Sequence, residues 1–340
     1  MTSRLRAAVA AAVVATAVTA AGCGEDFDPY TRLTSLRVLA IQSEVTTQPA
    51  NASGALQVSP GPGDTVTLTP VMFVPAGDTI TSWAWRWCPL TGSPNNGYQC
   101  AFASAEDVMI KTGVTVPDFD LGTADKATFT NSLPPELIAG LCAGLPGVLA
   151  APNCEGGYPI QIEMRVESMK DPGIDAVSML RLRIDSPNPA LPPMPPNYNP
   201  ALDATLPPLS AIPDFGMGPM AIPDDADPTV TLQRDRATPV IVGLSEDQAE
   251  PYMGLDDDGN LTDQRERLTL SWFVESGDME FEKTAFIQDV EPIGDTIRNS
   301  WTPAITRDYT PDTARVVVVI RDNRGGVAWV RGNVRLGATP

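Results

Sequence analysis

No histidine occurs among the 340 residues, so the chemistry open to this chain is that of its other side chains, carboxylates, thiols, hydroxyls and indoles among them. Ser-His-Asp and Cys-His nucleophiles and histidine-ligated metals are excluded. The cysteines are Cys23, Cys88, Cys100, Cys142 and Cys154, and the last four form two sets spaced twelve residues apart. That spacing suits local disulfides in an oxidising compartment better than the short spacing of a zinc site. A bridge across the turn-rich stretch after Cys88 would stabilise by about 3 kcal/mol in the loop-entropy account. Four cysteines nevertheless permit three pairings, and their spacing alone does not choose among them.

Three indoles and a run of carboxylates are the other groups with chemical potential. Trp83, Trp85 and Trp87 alternate with Ser82, Ala84 and Arg86, which places all three on one side of a strand. They read either as an aromatic platform for the sugar rings of a polysaccharide or as the core of a β-sandwich. The core reading is preferred. Asp256, Asp258 and Asn260 match positions one, three and five of a calcium-binding EF-hand loop, so Ca²⁺ is the one cofactor considered. Leu261 stands where that loop needs glycine and Arg267 where a bidentate glutamate should close it. A solvated turn is therefore preferred, with no cofactor. Paired carboxylates run glycoside hydrolysis without histidine, which keeps a cryptic carboxylate-based hydrolase as an alternative. The chain lacks the G-x-S-x-G, P-loop and Rossmann fingerprints, and the expectation is that it is not an enzyme.

The first residues address the chain. Arg4 and Arg6 precede an uncharged, Ala/Val-rich run from Ala7 to Ala21, too short for a hydrocarbon core that needs about 20 apolar residues. It reads as a removable export signal. Ala20-Ala21-Gly22-Cys23 resembles a bacterial lipobox, although Ala20 replaces the usual leucine; ordinary cleavage after Ala21 is the rival. Lipid on Cys23 would leave an even set of four cysteines. Gly24, rather than an aspartate, follows Cys23, and by resemblance to Gram-negative lipoproteins this implies the outer membrane. A formal net charge of −19 argues against nucleic acid as a partner. The expected partners are the membrane, through the lipid anchor, and an envelope protein or polysaccharide.

The elements that must position these residues are strands. Gln161, Glu163, Arg165 and Glu167 alternate with Ile160, Ile162, Met164 and Val166, a period of two. Asp171-Pro172-Gly173 turns that strand back toward Leu180 and Leu182. Residues 65–69 and 268–275 alternate likewise, and Val316 to Ile320 is a continuous apolar run expected of a strand covered on both faces. Pro135 to Leu141 has helical spacing and predicts a short helical insert. Thirteen of the 44 residues of 185–228 are proline, which disfavours regular structure, yet the segment is apolar enough for part of it to lie along a domain surface. The expected organisation is a signal over 1–22, a tether over 23–32 and a first sandwich over 33–185. A Pro-rich linker over 186–228 and a second sandwich over 229–340 follow.

Ser271-Trp272-Phe273, Trp301-Thr302-Pro303 and Val319-Ile320-Arg321-Asp322-Asn323-Arg324-Gly325-Gly326 together resemble an Ig-like or PKD-type bacterial surface domain, over about 110 residues. Arg37-Val38-Leu39-Ala40-Ile41, soon after the lipobox, resembles the N-terminal part of uncharacterised bacterial lipoproteins. The resemblance implies a mainly β chain of two Ig-like antiparallel sandwiches at the outer membrane, with a non-enzymatic binding or scaffolding role. It implies no catalytic residues.

Overall fold

Alternation in the sequence becomes burial in the structure. Ile160, Ile162, Met164 and Val166 are buried, whereas Arg165 between them is exposed. The computed structural model describes residues 30–90, 99–143, 154, 156–184, 195–213, 218–224, 227–255, 260–303 and 312–337.

The first sandwich has seven strands: β1 (Arg37–Val45), β2 (Thr65–Phe73), β3 (Ile80–Cys88), β4 (Asp120–Gly122), β5 (Ala127–Thr130), β6 (Tyr158–Ser168) and β7 (Ile174–Leu182). A three-stranded sheet in the order β1-β2-β5 faces a four-stranded sheet in the order β4-β3-β6-β7, and every pairing is antiparallel. Two helices sit in the connections, α1 (Ala105–Thr112) and α2 (Pro135–Ala143). Pro135 opens α2, where its missing N–H costs nothing, and Leu137, Ile138 and Leu141 turn inward. Ser104 caps α1 by accepting from the Asp107 N–H, while the Asp107 carboxylate reaches back to the Ala103 N–H. That reciprocal cap, with Gly113 in the left-handed region after the last turn, gives a short helix both its ends.

The second sandwich is built from β8 (Leu209–Ala211), β9 (Met220–Ala221), β10 (Thr231–Leu232), β11 (Thr238–Val242), β12 (Pro251–Leu255), β13 (Leu261–Arg265), β14 (Leu268–Val274), β15 (Asp278–Met279), β16 (Lys283–Phe286), β17 (Arg298–Thr302), β18 (Thr313–Asp322) and β19 (Val327–Leu336), with one short helix, α3 (Ile293–Thr296). Its sheets run β10-β19-β18-β14-β16 and β15-β17-β11-β8-β9. β10 joins β19 in parallel and the rest pair antiparallel. β12 and β13 form a separate two-stranded ribbon between β11 and β14. The chain is thus mainly β, with two Ig-like antiparallel sandwiches and short helices.

Two segments outside the expected sandwiches carry structure. Part of the Pro-rich linker belongs to the second sandwich, because β8 lies between β11 and β9 inside a sheet. Its three residues fall between Pro208 and Pro213, so no ladder donor is lost, and Leu209 and Ala211 are buried in the core. At the end of the expected tether, Leu33 N–H donates to the Val274 carbonyl and Val274 N–H donates to that of Thr31, which fixes the chain beside β14.

The sandwiches meet along an apolar seam. Leu33, Leu39, Val71 and Phe73 pack against Phe273, Val317, Val319 and Val327. Burying each such side chain is worth about 1.5–3 kcal/mol relative to exposure. The apolar run of β18 now has its explanation, since Val316, Val318 and Ile320 enter the core of the second sandwich while Val317 and Val319 face the first. Arg315 stacks 4.3 Å from the Phe73 ring centroid, donates to the Val74 carbonyl and pairs with Glu275 at 3.1 Å. Gln42 donates to the Val327 carbonyl, and Arg321 to that of Leu39.

Candidate functional site

The three tryptophans of β3 do not make a platform. Trp85 and Trp87 are 1% and 0% exposed inside the first core, and Trp83 is half-buried against it. The Trp85 indole donates to the Ala124 carbonyl and that of Trp87 to the Asp118 carbonyl, so their one polar atom is satisfied internally. A sugar ring needs an open indole face, and the opposing sheet covers these. As ligand-binding candidates Trp85 and Trp87 are corrected to core residues, and Trp83 lies half-buried at the rim.

The thiols pair locally, as Cys88–Cys100 and Cys142–Cys154. The second bridge ties the end of α2 to Cys154, four residues before β6 begins. Of the calcium candidates, Asp256 and Asp258 lie outside the described residues, and Asn260 immediately precedes β13. Cys23 also lies outside the described residues.

Among the described residues, carboxylates displaced from their ordinary range are of two kinds. Hydrogen bonds from Ser168, Lys111 and Thr205 hold Asp78, Asp107 and Asp203 low, and each of these carboxylates caps a turn or helix start. The other kind gathers at one place, built from the turn between β18 and β19. There the Asp322 carboxylate accepts the N–H groups of Arg324 and Gly326, at 2.8 and 2.7 Å. Gly325 takes a φ of 106°, open only to glycine, and a Cβ at Gly326 would overlap the Asp322 carboxylate. The Asp-x-x-Gly-Gly pattern is therefore a device for curling the backbone around a buried carboxylate.

Arg324 then points inward and pairs with Glu266 at 3.1 Å, the two side chains being 8% and 0% exposed. Its other terminal nitrogen donates to the Pro195 carbonyl at 2.6 Å, and its guanidinium lies 5.0 Å from the Tyr252 ring centroid. Glu266 and Glu250 bracket the β12–β13 ribbon, with Glu250 N–H donating to the Glu266 carboxylate and Glu266 N–H to the Glu250 carbonyl. The Glu250 carboxylate accepts from the Tyr198 N–H, and Asn197 donates to Asp322 at 3.3 Å. Three carboxylates thus share one guanidinium. Burial pushes Glu266 up to about 8, helped by repulsion from Asp322 and Glu250 and opposed by Arg324. Burial raises Asp322 as well, against the N–H groups it accepts, and also raises Glu250.

No family model and no curated protein matches this chain. Among solved structures it overlaps a transglutaminase of red sea bream at a TM-score of 0.24 and 10% identity, covering 91% of this chain and 32% of that one. Murine CEACAM1b overlaps at 0.20 and 8%, covering 88% of this chain and all of that one. The D00–D0 domains of intimin give 0.18 and 7%, with 88% of this chain covered. The chain spans less than a third of the transglutaminase, and overlaps this shallow carry no argument about fold or activity. The Ig-like assignment stands on strand order.

Chemically, the cluster can hold a proton and bind backbone. Glu266 has no exposed side-chain surface and Arg324 almost none, so neither faces a substrate. The cluster was not visible as a motif. Its members lie at positions 197, 250, 266, 322 and 324, and only the turn carrying Asp322 and Arg324 has a local signature.

Proposed function

We propose that this chain is a lipid-anchored protein of the bacterial outer membrane, exported on the signal of residues 1–22, acylated at Cys23 and serving a non-enzymatic scaffolding or binding role. The observation that carries the reading is where the tether ends. Leu33 is buried in the seam between the two sandwiches, so lipid on Cys23 would hold both through a single attachment. Residues 24–30 reach at most about 25 Å when extended, so acylated Cys23 would keep the body close to the bilayer surface. Multiple acyl chains give the stable anchoring that one chain does not. Two formed disulfides suit an oxidising compartment.

The non-enzymatic part rests on the cluster described above. Its carboxylates are the strongest candidates for acid–base chemistry, and they are spent on Arg324, on backbone N–H groups and on Asn197. Labelling cells with palmitate and fractionating the envelope tests the proposal. The wild-type chain is expected to carry label and sediment with the outer membrane, and Cys23→Ser to lose both. A wild-type chain with an unmodified thiol at Cys23, or with its leader retained, would overturn it.

A further inference from the structure

Residues 195–203 form a strap laid across both sandwiches. Val58 N–H donates to the Asn197 carbonyl and Asn199 N–H to that of Leu56, which ties the strap to the first sandwich. The Asn199 side chain donates to the Ser43 carbonyl and accepts from Val327 N–H, bridging the two at 2.8 Å on each side. On the second sandwich, Ala201 N–H donates to Gln248 and Asp203 N–H to the Gly243 carbonyl. The remaining fastenings all run to the carboxylate cluster: Pro195 to Arg324, Asn197 to Asp322 and Tyr198 to Glu250.

We propose that this cluster is a proton-dependent clasp, in which a proton held among Glu266, Asp322 and Glu250 keeps the strap closed over the junction of the sandwiches. The geometry requires such a proton. With every carboxylate ionised, buried Glu266 and Asp322, with half-buried Glu250 beside them, would set three negative charges against the single charge of Arg324, and uncompensated charge in a low-dielectric interior is expensive. The groups that face Glu266 are Asp322 and Arg324 from the β18–β19 turn, Glu250 from the start of the ribbon, and Tyr252, whose ring lies against the guanidinium. Arg324 is the one cation in that set.

The sign follows from linkage. A closed clasp holds its proton up to about pH 8, whereas a Glu266 that solvent reaches, once the strap's bonds to Arg324, Asp322 and Glu250 are released, falls back toward its ordinary 4.5. Between those values the closed form binds a proton that the open form lacks, so closure weakens as pH rises through the window, by up to about tenfold per pH unit, and levels off above it. The device does not depend on whether Cys23 is acylated.

Hydrogen–deuterium exchange of the full mature chain tests it, after correction for the base catalysis of exchange itself. In the wild type, protection of amides within 195–203 is expected to fall as pH rises from about 5 to about 8, while amides of the first core change little. Glu266→Gln, which cannot ionise, is expected to flatten that slope. A wild-type strap with pH-independent protection, or a Glu266→Gln strap with the wild-type slope, would overturn the proposal. Infrared titration of the wild type supplies an arm that no variant's folding affects. A buried carboxylic-acid carbonyl band that persists at neutral pH and disappears with alkali supports the clasp, and its absence at neutral pH contradicts it.

Discussion

Trp87 lies between Phe119 and Phe129, with ring centroids 5.3 and 5.2 Å away, and its indole N–H is committed to the Asp118 carbonyl. Everything about it is interior. Trp87→Ala should therefore destabilise by about 3–5 kcal/mol through lost burial and the cavity left behind. Trp83→Ala, at the half-buried rim, should cost distinctly less. Denaturant unfolding of both variants checks this, and equal, small losses would mean that the β3 indoles are not core. The same scale separates the acidic residues. Asp78, Asp107 and Asp203 are exposed enough to cap turns as ordinary ions. Glu266 instead competes with two other carboxylates for one guanidinium, and Arg324→Met would leave that competition without its cation. Alternation along β3 told which side the indoles share, yet period two is common to a platform and a core; only the opposing sheet decides between them.

At the scale of elements, the strap is the piece whose removal says most. Asn199 is 6% exposed, and its amide makes one bond to each sandwich. Asn199→Ala should cost about 1–3 kcal/mol for each buried partner left unpaired. Urea midpoints measure it, and a change below about 0.5 kcal/mol, the range of ordinary surface substitutions, would show the strap to be idle. Long strands were readable in advance because each repeats its pattern several times: β6, β14 and the β18–β19 hairpin all sit where alternation and the Asn323–Gly326 turn place them. So was α2, from Pro135 and its apolar spacing. Shorter elements were hidden. α1 carried a signal in Ser104 with Asp107 three residues on, but its apolar face is the single buried Val108, so no periodicity drew attention to it. β8 is three residues among prolines, and nothing local distinguishes it from linker. The clasp was illegible for a different reason: Glu250, Glu266 and Arg324 come together through the sheet topology, and their spacing in the chain says nothing about it.

Over the whole molecule, the seam decides behaviour. A polar, wet contact of modest area would let two sandwiches swing about their linker. This one buries aromatic and branched side chains from both, is crossed by Arg315, Arg321 and Gln42, and is covered by the strap. The unbroken apolar run from Val316 to Ile320 implied a strand with two covered faces, without saying that the second cover is the other sandwich. Sandwiches joined along such a seam are expected to unfold together. Scanning calorimetry of the disulfide-intact mature chain tests that coupling most directly. A single transition, with calorimetric enthalpy equal to the van't Hoff value, is expected; two separable transitions, one for each sandwich, would contradict it.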